Sequence, residues 1–190
     1  MQTSSIKRTE QALAAIQDTG DEGRRIFTHV YEQGALAAAH AADERAKNGI
    51  TLGPLDGRIV SVKDLYDIAG EVTTAGSAVL KSAAPAKQDA VIVQRLRQAG
   101  VVIIGKTNMT EFAFSGIGIN PHYGTPGNAR DVTRIPGGSS SGAGVAVARG
   151  LSEISIGSDT GGSVRIPSAL NGVTGFKPTQ SRVPRDGAFP

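Results

Sequence analysis

The stretch Asp89–Ile104, which reads D-A-V-I-V-Q-R-L-R-Q-A-G-V-V-I-I, decides the fold class of this chain. Val93 and Leu96 share one face, and this pattern predicts an amphipathic helix. Asp89 is a favoured N-cap, and Gly100 predicts the end of the helix. Four consecutive β-favouring apolar residues follow, as is typical of a strand buried on both faces. A helix leading directly into a buried strand predicts an α/β fold with a sheet between helices.

Apolar patterning along the rest of the chain predicts further helices and strands. Residues 6–47 carry an apolar stripe at helical spacing and an alanine-rich run, which predict two helices that end near Asn48-Gly49. The remaining predictions are strands at 58–63, 153–158 and 173–179, with a helix at 140–150 before the second of them. The sequence contains no internal repeat and no segment typical of a domain boundary.

Composition excludes several classes of protein. The chain has 190 residues, of which 39% are hydrophobic and 19% charged, as expected for a globular domain. The net charge is only +3, aromatic residues make up 4%, and basic residues do not form a stripe, so a nucleic-acid partner is not expected. Because the chain has no cysteine, disulfides, thiolate metal sites and a cysteine nucleophile are excluded.

The two ends of the chain lead to expectations about location and completeness. The N-terminus lacks the apolar core of a signal peptide, and no apolar run approaches the length of a membrane span. We therefore expect a soluble, cytoplasmic protein with no membrane partner. The C-terminal residues form neither a closing helix nor a polar tail. This ending predicts that the sequence is the front part of a longer protein.

Two glycine- and serine-rich stretches are candidates for a catalytic site. The first is Gly137–Gly142, G-G-S-S-S-G, and the second is Asp159–Ser163, D-T-G-G-S. Small residues let backbone N–H groups approach a ligand closely, and a serine beside such donors is typical of acyl-transfer sites. Glycine- and serine-rich runs are usually flexible linkers, but apolar, core-like sequence flanks the first run and argues against a linker here.

The familiar serine-hydrolase pattern fits this chain poorly. Residues 138–142 match G-x-S-x-G, which would make Ser140 the nucleophile of an α/β-hydrolase. That arrangement needs a histidine after the serine, whereas all 3 histidines of this chain precede it. A longer chain could supply a later histidine. No S-x-x-K motif ends at Lys63, because position 60 is valine.

Without a suitable histidine, the general base has to be another residue, and Lys63 is a candidate. Lysine has an ordinary pKa of about 10.4, and burial can lower it by several units. Lys63 ends the apolar run 59–62, where an inward-pointing side chain would lose contact with water. A lysine at a strand end more commonly extends its charge to the surface. Spacing alone favours the surface arrangement.

Taken together, Lys63 and the two glycine-rich stretches resemble the amidase signature family. Supporting matches extend from about Leu52 to Lys177, and they are Gly53–Gly57, Lys63-Asp64, Thr74–Ser77, Gly105–Met109, Glu111–Ala113 and Gly175–Thr179. The resemblance implies an α/β fold whose mixed β-sheet core is sandwiched by helices, incomplete in this chain. It implies that residues 1–50 form a helical segment packed on the core and that residues 51–190 form the first part of the catalytic core.

The same resemblance implies a Ser-Ser-Lys triad. Ser163 corresponds to the nucleophile that forms the acyl-enzyme, and Lys63 corresponds to the general base. Ser139 corresponds to the bridging serine, whose preceding peptide bond is typically cis in the family. The implied oxyanion hole consists of the backbone N–H groups of Thr160, Gly161, Gly162 and Ser163. The implied supporting residues are Gly138, Ser140, Asp159 and Arg165, and neither a metal nor a cofactor is implied.

The function that the resemblance implies is hydrolysis of a small-molecule carboxylic amide through an acyl-enzyme. An alternative is a glutaminase-type subunit, which makes ammonia for a partner that modifies aminoacyl-tRNA. A third interpretation is that these 190 residues are inactive alone, because in this family a later part of the chain completes the sheet and the acyl pocket. A homodimer is a further expectation, and the sequence does not identify the substrate.

Overall fold

The computed structural model describes residues 4–189. Its helices are α1 (Ser5–Asp18), α2 (Asp21–Ile26), α3 (Glu32–Lys47), α4 (Val91–Gln98), α5 (Ser141–Ala148) and α6 (Arg165–Asn171). Its strands are β1 (Phe27–Val30), β2 (Ile59–Lys63), β3 (Val102–Thr107) and β4 (Ile154–Ile156). Within these residues, no helix has both the length and the apolar character that crossing a bilayer requires.

The strands form one mixed sheet in the order β1-β3-β2-β4. β2 is parallel to both β3 and β4, whereas β1 is antiparallel to β3. Because the carboxyl ends of parallel strands share one edge of a sheet, Lys63 and Thr107 end β2 and β3 side by side. The loop after β4 starts at the same edge, and it contains the second glycine-rich stretch. This edge positions the candidate site.

Alternating side chains of β2 and β3 supply two apolar cores, one on each face of the sheet. On one face, Ile59, Val102 and Ile104 pack with residues of α1, α3 and α5. On the other face, Val60, Val62 and Ile103 pack with Val93 and Leu96 of α4. The helices therefore cover both faces, and the expected α/β sandwich with a mixed sheet is confirmed.

The expected N-cap at Asp89 is wrong. Helix α4 begins at Val91, and its N-cap position is occupied by Ala90 without a side-chain hydrogen bond. The Asp89 carboxylate instead accepts hydrogen bonds from the Ala69 N–H at 2.9 Å and from Arg97 Nε at 2.8 Å. These two donors hold the carboxylate away from the helix start. The predicted end is confirmed, since Gly100 follows the helix with φ +76°.

Two strand predictions also differ from the structure. The prediction of two helices over residues 6–47 missed β1. This strand has only four residues, and its partner strand β3 lies far away in sequence. Conversely, 173–179 is irregular and forms no strand, and Phe176 there is 78% exposed. Its β-favouring residues have no neighbouring strand to pair with among residues 4–189. In both cases the partner strand, and not local propensity, decided the outcome.

Candidate active site

Lys63, the last residue of β2, is fully buried on the face of the sheet that α5 covers. Its Nζ donates one hydrogen bond to Ser139 Oγ at 2.7 Å and another to Ser158 Oγ at 2.8 Å. The register of β2 aims the side chain, because residues 59, 61 and 63 share one face of a strand. The strand-end lysine therefore points inward and not to the surface.

The surroundings of Lys63 favour its neutral form. Burial lowers the pKa of its ammonium group from 10.5 to about 7, and the negative charge of Asp159 opposes this shift. Both acceptors that Nζ contacts are neutral hydroxyls, and they compensate a buried positive charge less than a carboxylate would. A large fraction of Lys63 is therefore uncharged near neutral pH and can accept a proton.

Ser139 is fully buried and precedes Ser140, the cap residue of α5, and the peptide bond between Gly138 and Ser139 is cis. The loop after β3 holds this bond from both sides. The Thr110 N–H donates to the Ser139 carbonyl at 3.0 Å, and the Gly138 N–H donates to the Gly116 carbonyl at 2.7 Å. These backbone contacts fix the chain that presents the Ser139 hydroxyl to Lys63.

Ser163 lies just before α6 and is partly exposed. Its carbonyl accepts a hydrogen bond from the Ser140 N–H at 3.2 Å. The Ser140 hydroxyl donates to the Ser158 carbonyl at 3.3 Å, so Ser140 ties the two glycine-rich stretches together. Among residues 4–189, no hydrogen bond joins the hydroxyls of Ser163 and Ser139. The structure thus pairs Ser139 with Lys63 directly and holds Ser163 nearby through its backbone.

The turn that precedes Ser163 leaves its backbone accessible. Thr160 and Gly161 are exposed, and a Cβ added to Gly161 would have no heavy atom within 4 Å. Gly162 differs, because its φ is +137° and a Cβ there would lie 2.8 Å from Ile166 Cδ1. The backbone conformation therefore requires glycine at position 162, and any larger residue would also displace the end of the Ile166 side chain. A ligand atom can approach the main chain of this turn closely.

Asp159 and Arg165 form a two-pronged ion pair across the turn. Arg165 Nε and one terminal guanidinium nitrogen each donate to a carboxylate oxygen of Asp159 at 2.9 Å. The same carboxylate accepts from the backbone N–H groups of Val164 at 3.2 Å and Arg165 at 3.3 Å. The Arg165 guanidinium holds the pKa of the Asp159 carboxyl well below its usual range. The pair therefore orders the start of α6.

Sequence analysis missed Ser158, the second acceptor of the Lys63 Nζ. The available signal was its position, because it ends the predicted strand 153–158 directly before Asp159. A polar side chain at the carboxyl end of a strand lies at the edge where β2 presents Lys63. Only the pairing of β4 with β2 shows that the two side chains meet.

A second buried lysine, Lys106, differs from Lys63 in the partner of its Nζ. Its Nζ lies 3.5 Å from the Asp64 carboxylate on the opposite face of the sheet, and both side chains are almost fully buried. Lys106 thus has a carboxylate partner, whereas the hydrogen-bond acceptors of the Lys63 Nζ among residues 4–189 are two hydroxyls. Within residues 4–189, no group of three or more histidine or acidic side chains is placed to hold a metal ion.

Comparison with known sequences gives one family. The sequence model of the amidase family matches residues 9–190. AtzE, the 1-carboxybiuret hydrolase subunit of Pseudomonas sp. (strain ADP), is 46% identical over 188 residues, which cover 99% of this chain and 41% of that protein. A glutamyl-tRNA(Gln) amidotransferase subunit of Chloroflexus aurantiacus is 45% identical over 184 residues, which cover 97% of this chain and 37% of that protein.

Comparison with solved structures also finds amidases with the same fold. The native peptide amidase from Stenotrophomonas maltophilia superposes with a TM-score of 0.89 at 38% identity, over 99% of this chain and 39% of that one. A chain of a vestigial protein complex, from which the evolutionary origins of an s-triazine catabolic enzyme were traced, superposes with a TM-score of 0.93 at 46% identity. This chain spans about two fifths of the length of the curated relatives, which is 41% for AtzE and 37% for the amidotransferase subunit.

Proposed function

This chain belongs to the amidase signature family, and we propose that it carries the acyl-transfer centre of an enzyme that hydrolyses a small-molecule carboxylic amide. The observation that supports this function most directly is the buried pair of Lys63 and Ser139. Its Nζ to Oγ distance is 2.7 Å, and burial lowers the pKa of Lys63 to about 7. A neutral lysine bonded to a serine is a general base in contact with a proton carrier.

In the proposed first step, the neutral Lys63 Nζ accepts the hydroxyl proton of Ser139 while Ser139 Oγ accepts the hydroxyl proton of Ser163. Ser163 Oγ then attacks the amide carbonyl carbon. Electrons of the carbonyl double bond move to its oxygen, which becomes negative. The proposed donors that stabilise this charge are the backbone N–H groups of residues 160–163, because the turn is open and contains two glycines.

In the proposed second step, the bond between the carbonyl carbon and the leaving nitrogen breaks. Ser139 returns a proton to that nitrogen and regains one from Lys63, so the amine or ammonia leaves neutral. In the final step, Ser139 and Lys63 together remove a proton from a water molecule, whose oxygen attacks the acyl carbonyl carbon. The bond between that carbon and Ser163 Oγ breaks, and Ser139 returns the proton to Ser163 Oγ, which releases the acid. Gly138, Ser140, Asp159 and Arg165 have supporting roles in this scheme, since their hydrogen bonds hold the two serine-bearing stretches.

The experiment that tests this proposal is intact-mass analysis after exposure to a fluorophosphonate. We expect one adduct on the native protein and none on Ser163→Ala. Lys63→Ala should label far more slowly, because the general base is worth about 10²–10⁴-fold in rate. Ser168→Ala, a serine of α6 in the same part of the fold, is the matched control and should label normally. An adduct that persists in Ser163→Ala would refute the assignment of the nucleophile.

The second candidate is a glutaminase-type subunit of an aminoacyl-tRNA amidotransferase. Its support is the 45% identity with the Chloroflexus aurantiacus amidotransferase subunit over 97% of this chain. The two candidates share the acyl-transfer step and differ in substrate and partner. Ammonia release from simple amides by the isolated protein favours the free amidase. Ammonia release from glutamine only when a partner protein is present favours the second candidate.

Two further expectations remain proposals. One is that residues 1–190 are inactive without the later part of the chain found in longer relatives, which the fluorophosphonate experiment tests by comparing this chain with the complete polypeptide. The other is that the protein is a homodimer, which light scattering across a concentration series tests. Neither expectation alters the chemistry proposed for Lys63, Ser139 and Ser163.

A further inference from the structure

We propose that Ile166 is a specificity-determining residue that selects amides whose acyl group is uncharged and apolar next to the carbonyl. This inference rests on the proposed function and deepens it by naming the substrate class. Ile166 lies in the first turn of α6, three residues after Ser163. Its side chain is 37% exposed. The apolar surface beside the reacting carbonyl is therefore partly open to a ligand.

The side chain of Ile166 lies beside three glycines of the two loops that build the site, Gly116 and Gly137 between β3 and α5 and Gly162 between β4 and α6. Its Cδ1 lies 2.8 Å from the position that a Cβ on Gly162 would take and 3.2 Å from the equivalent position on Gly116. Its Cγ2 lies 3.2 Å from the equivalent position on Gly137. Because glycines have no side chains, Ile166 supplies the side-chain surface where these loops meet.

These contacts place Ile166 beside the reacting atoms of the proposed mechanism. Gly162 belongs to the turn proposed to hold the oxyanion, and Gly137 precedes the cis bond at Ser139. The Ile166 N–H also donates to the Gly162 carbonyl at 2.7 Å, which fixes the side chain relative to that turn. An acyl group whose carbonyl oxygen faces residues 160–163 would therefore have its first carbons near Ile166.

The apolar surface continues along α6. Leu170, one helical turn after Ile166, is 44% exposed, and its Cδ1 lies 3.0 Å from the Cβ position of Gly137. Residues four apart share one face of a helix. Ile166 and Leu170 thus form a short apolar ridge, which we call the α6 ridge. Each apolar carbon that it removes from water favours binding.

The cation nearest the α6 ridge is already paired with an acidic side chain. The guanidinium of Arg165 is bonded to both carboxylate oxygens of Asp159 at 2.9 Å. A substrate carboxylate beside the α6 ridge would meet an ion pair whose opposite charges offset each other, and the loss of water from a charged group is costly. The described part of the site therefore favours a neutral alkyl or aryl acyl group over an anionic one.

The test uses two amides of equal length, butyramide and succinamate, in which a terminal methyl is replaced by a carboxylate. Ammonia release gives kcat/KM for each amide with the complete polypeptide. We expect a butyramide preference of about tenfold or more, because succinamate would place a charged carboxylate against the apolar α6 ridge. Ile166→Thr should lower that ratio about fivefold, because the residue is partly exposed. Ile166→Arg should shift the preference towards succinamate.

The matched control is Ile50→Thr, which makes the same chemical change at a 55% exposed isoleucine. Ile50 precedes β2 near its amino end, so it lies away from the site and the ratio should not change. Two outcomes overturn the inference and leave the proposed function intact. One is a native protein with equal kcat/KM for succinamate and butyramide, and the other is an Ile166→Thr variant whose ratio of the two kcat/KM values equals the native ratio. Failure of both amides together with absence of a fluorophosphonate adduct removes the proposed function and the inference with it.

Discussion

Lys63 Nζ and Ser139 Oγ are joined by a hydrogen bond of 2.7 Å across 76 positions of sequence, and both side chains are fully buried. The bond brings the carboxyl end of β2 to the residue that precedes the cap of α5. No carboxylate hydrogen-bonds to the Lys63 Nζ among residues 4–189. This combination of burial and neutral acceptors gives the lysine the properties of a base and not of a structural cation.

The first prediction concerns pH. The labelling rate with a fluorophosphonate should rise with pH and reach half its plateau near pH 7, because burial lowers the pKa of Lys63 to about 7 and only the neutral amine accepts a proton. Lys63→Met should lower the rate about 10²–10⁴-fold and abolish the rise. Rates in buffers from weakly acidic to alkaline provide the measurement. The exposed Lys87 supplies the control variant Lys87→Met, and a native-like profile in Lys63→Met would contradict the assignment.

The second prediction concerns Ser158. Its hydroxyl accepts from Lys63 Nζ at 2.8 Å, so Ser158→Ala removes an interaction that favours the charged amine. The midpoint of the pH–rate profile should move to lower pH, and the plateau should fall about tenfold because the amine is less well oriented. Ser155→Ala, which removes a hydroxyl that contacts Ser61 in the same strand region, is the control. A Ser158→Ala profile that superposes on the native one would show that Ser158 does not position Lys63.

The third prediction separates two adjacent glycines. Gly162→Ala should slow labelling by about 10²-fold or more, because its φ of +137° strains any L-residue and the new methyl meets Ile166 Cδ1. Gly161→Ala keeps the backbone N–H and meets no heavy atom within 4 Å, so it should label at close to the native rate. Thermal unfolding of both variants checks that they are folded. Equal rates for the two variants would mean that the Gly162 conformation does not matter for reactivity.

The fourth prediction concerns the ion pair of Arg165 and Asp159. Arg165→Ala should lower the free energy of unfolding only modestly, because the guanidinium is 52% exposed and solvent screens its charge. It should also slow labelling severalfold, since the pair orders the turn before Ser163. Arg134→Ala, the control, removes a more exposed pair with Asp131 and should change stability less and labelling not at all. Urea unfolding and labelling rates provide the measurements.

The pH dependence of this fourth effect has a definite sign. Arg165 holds the pKa of the Asp159 carboxyl below its unfolded value, so the stabilisation is fully present above the unfolded pKa and is lost as pH falls through the folded pKa. The difference in stability between native protein and Arg165→Ala should therefore be constant from weakly acidic to alkaline pH and shrink only in strong acid. A difference that disappears near neutral pH would rule out this ion pair as its source.

The fold was predictable where local pattern and burial agree. The stretch Asp89–Ile104 contains its own helix period and its own buried strand, and the structure has α4 and β3 there. Local pattern failed where pairing decides the outcome. β1 is a strand because β3 lies beside it. Residues 173–179 are irregular because no strand of the described residues lies beside them. Asp89 failed as a cap because the Ala69 N–H and Arg97 Nε compete for its carboxylate.

The sequence by itself determined the residue types at the site and the family, because glycine, serine and lysine at fixed separations are legible without coordinates. It left open whether Lys63 is buried. Only the tertiary structure decided that, because parallel pairing of β2 with β3 and β4 places Lys63 under α5 and beside Ser158. The position of Ile166 beside three glycines of two loops likewise arises from packing. Burial and proximity between distant segments are properties of the folded chain, and they set both the pKa of a lysine and the shape of a pocket.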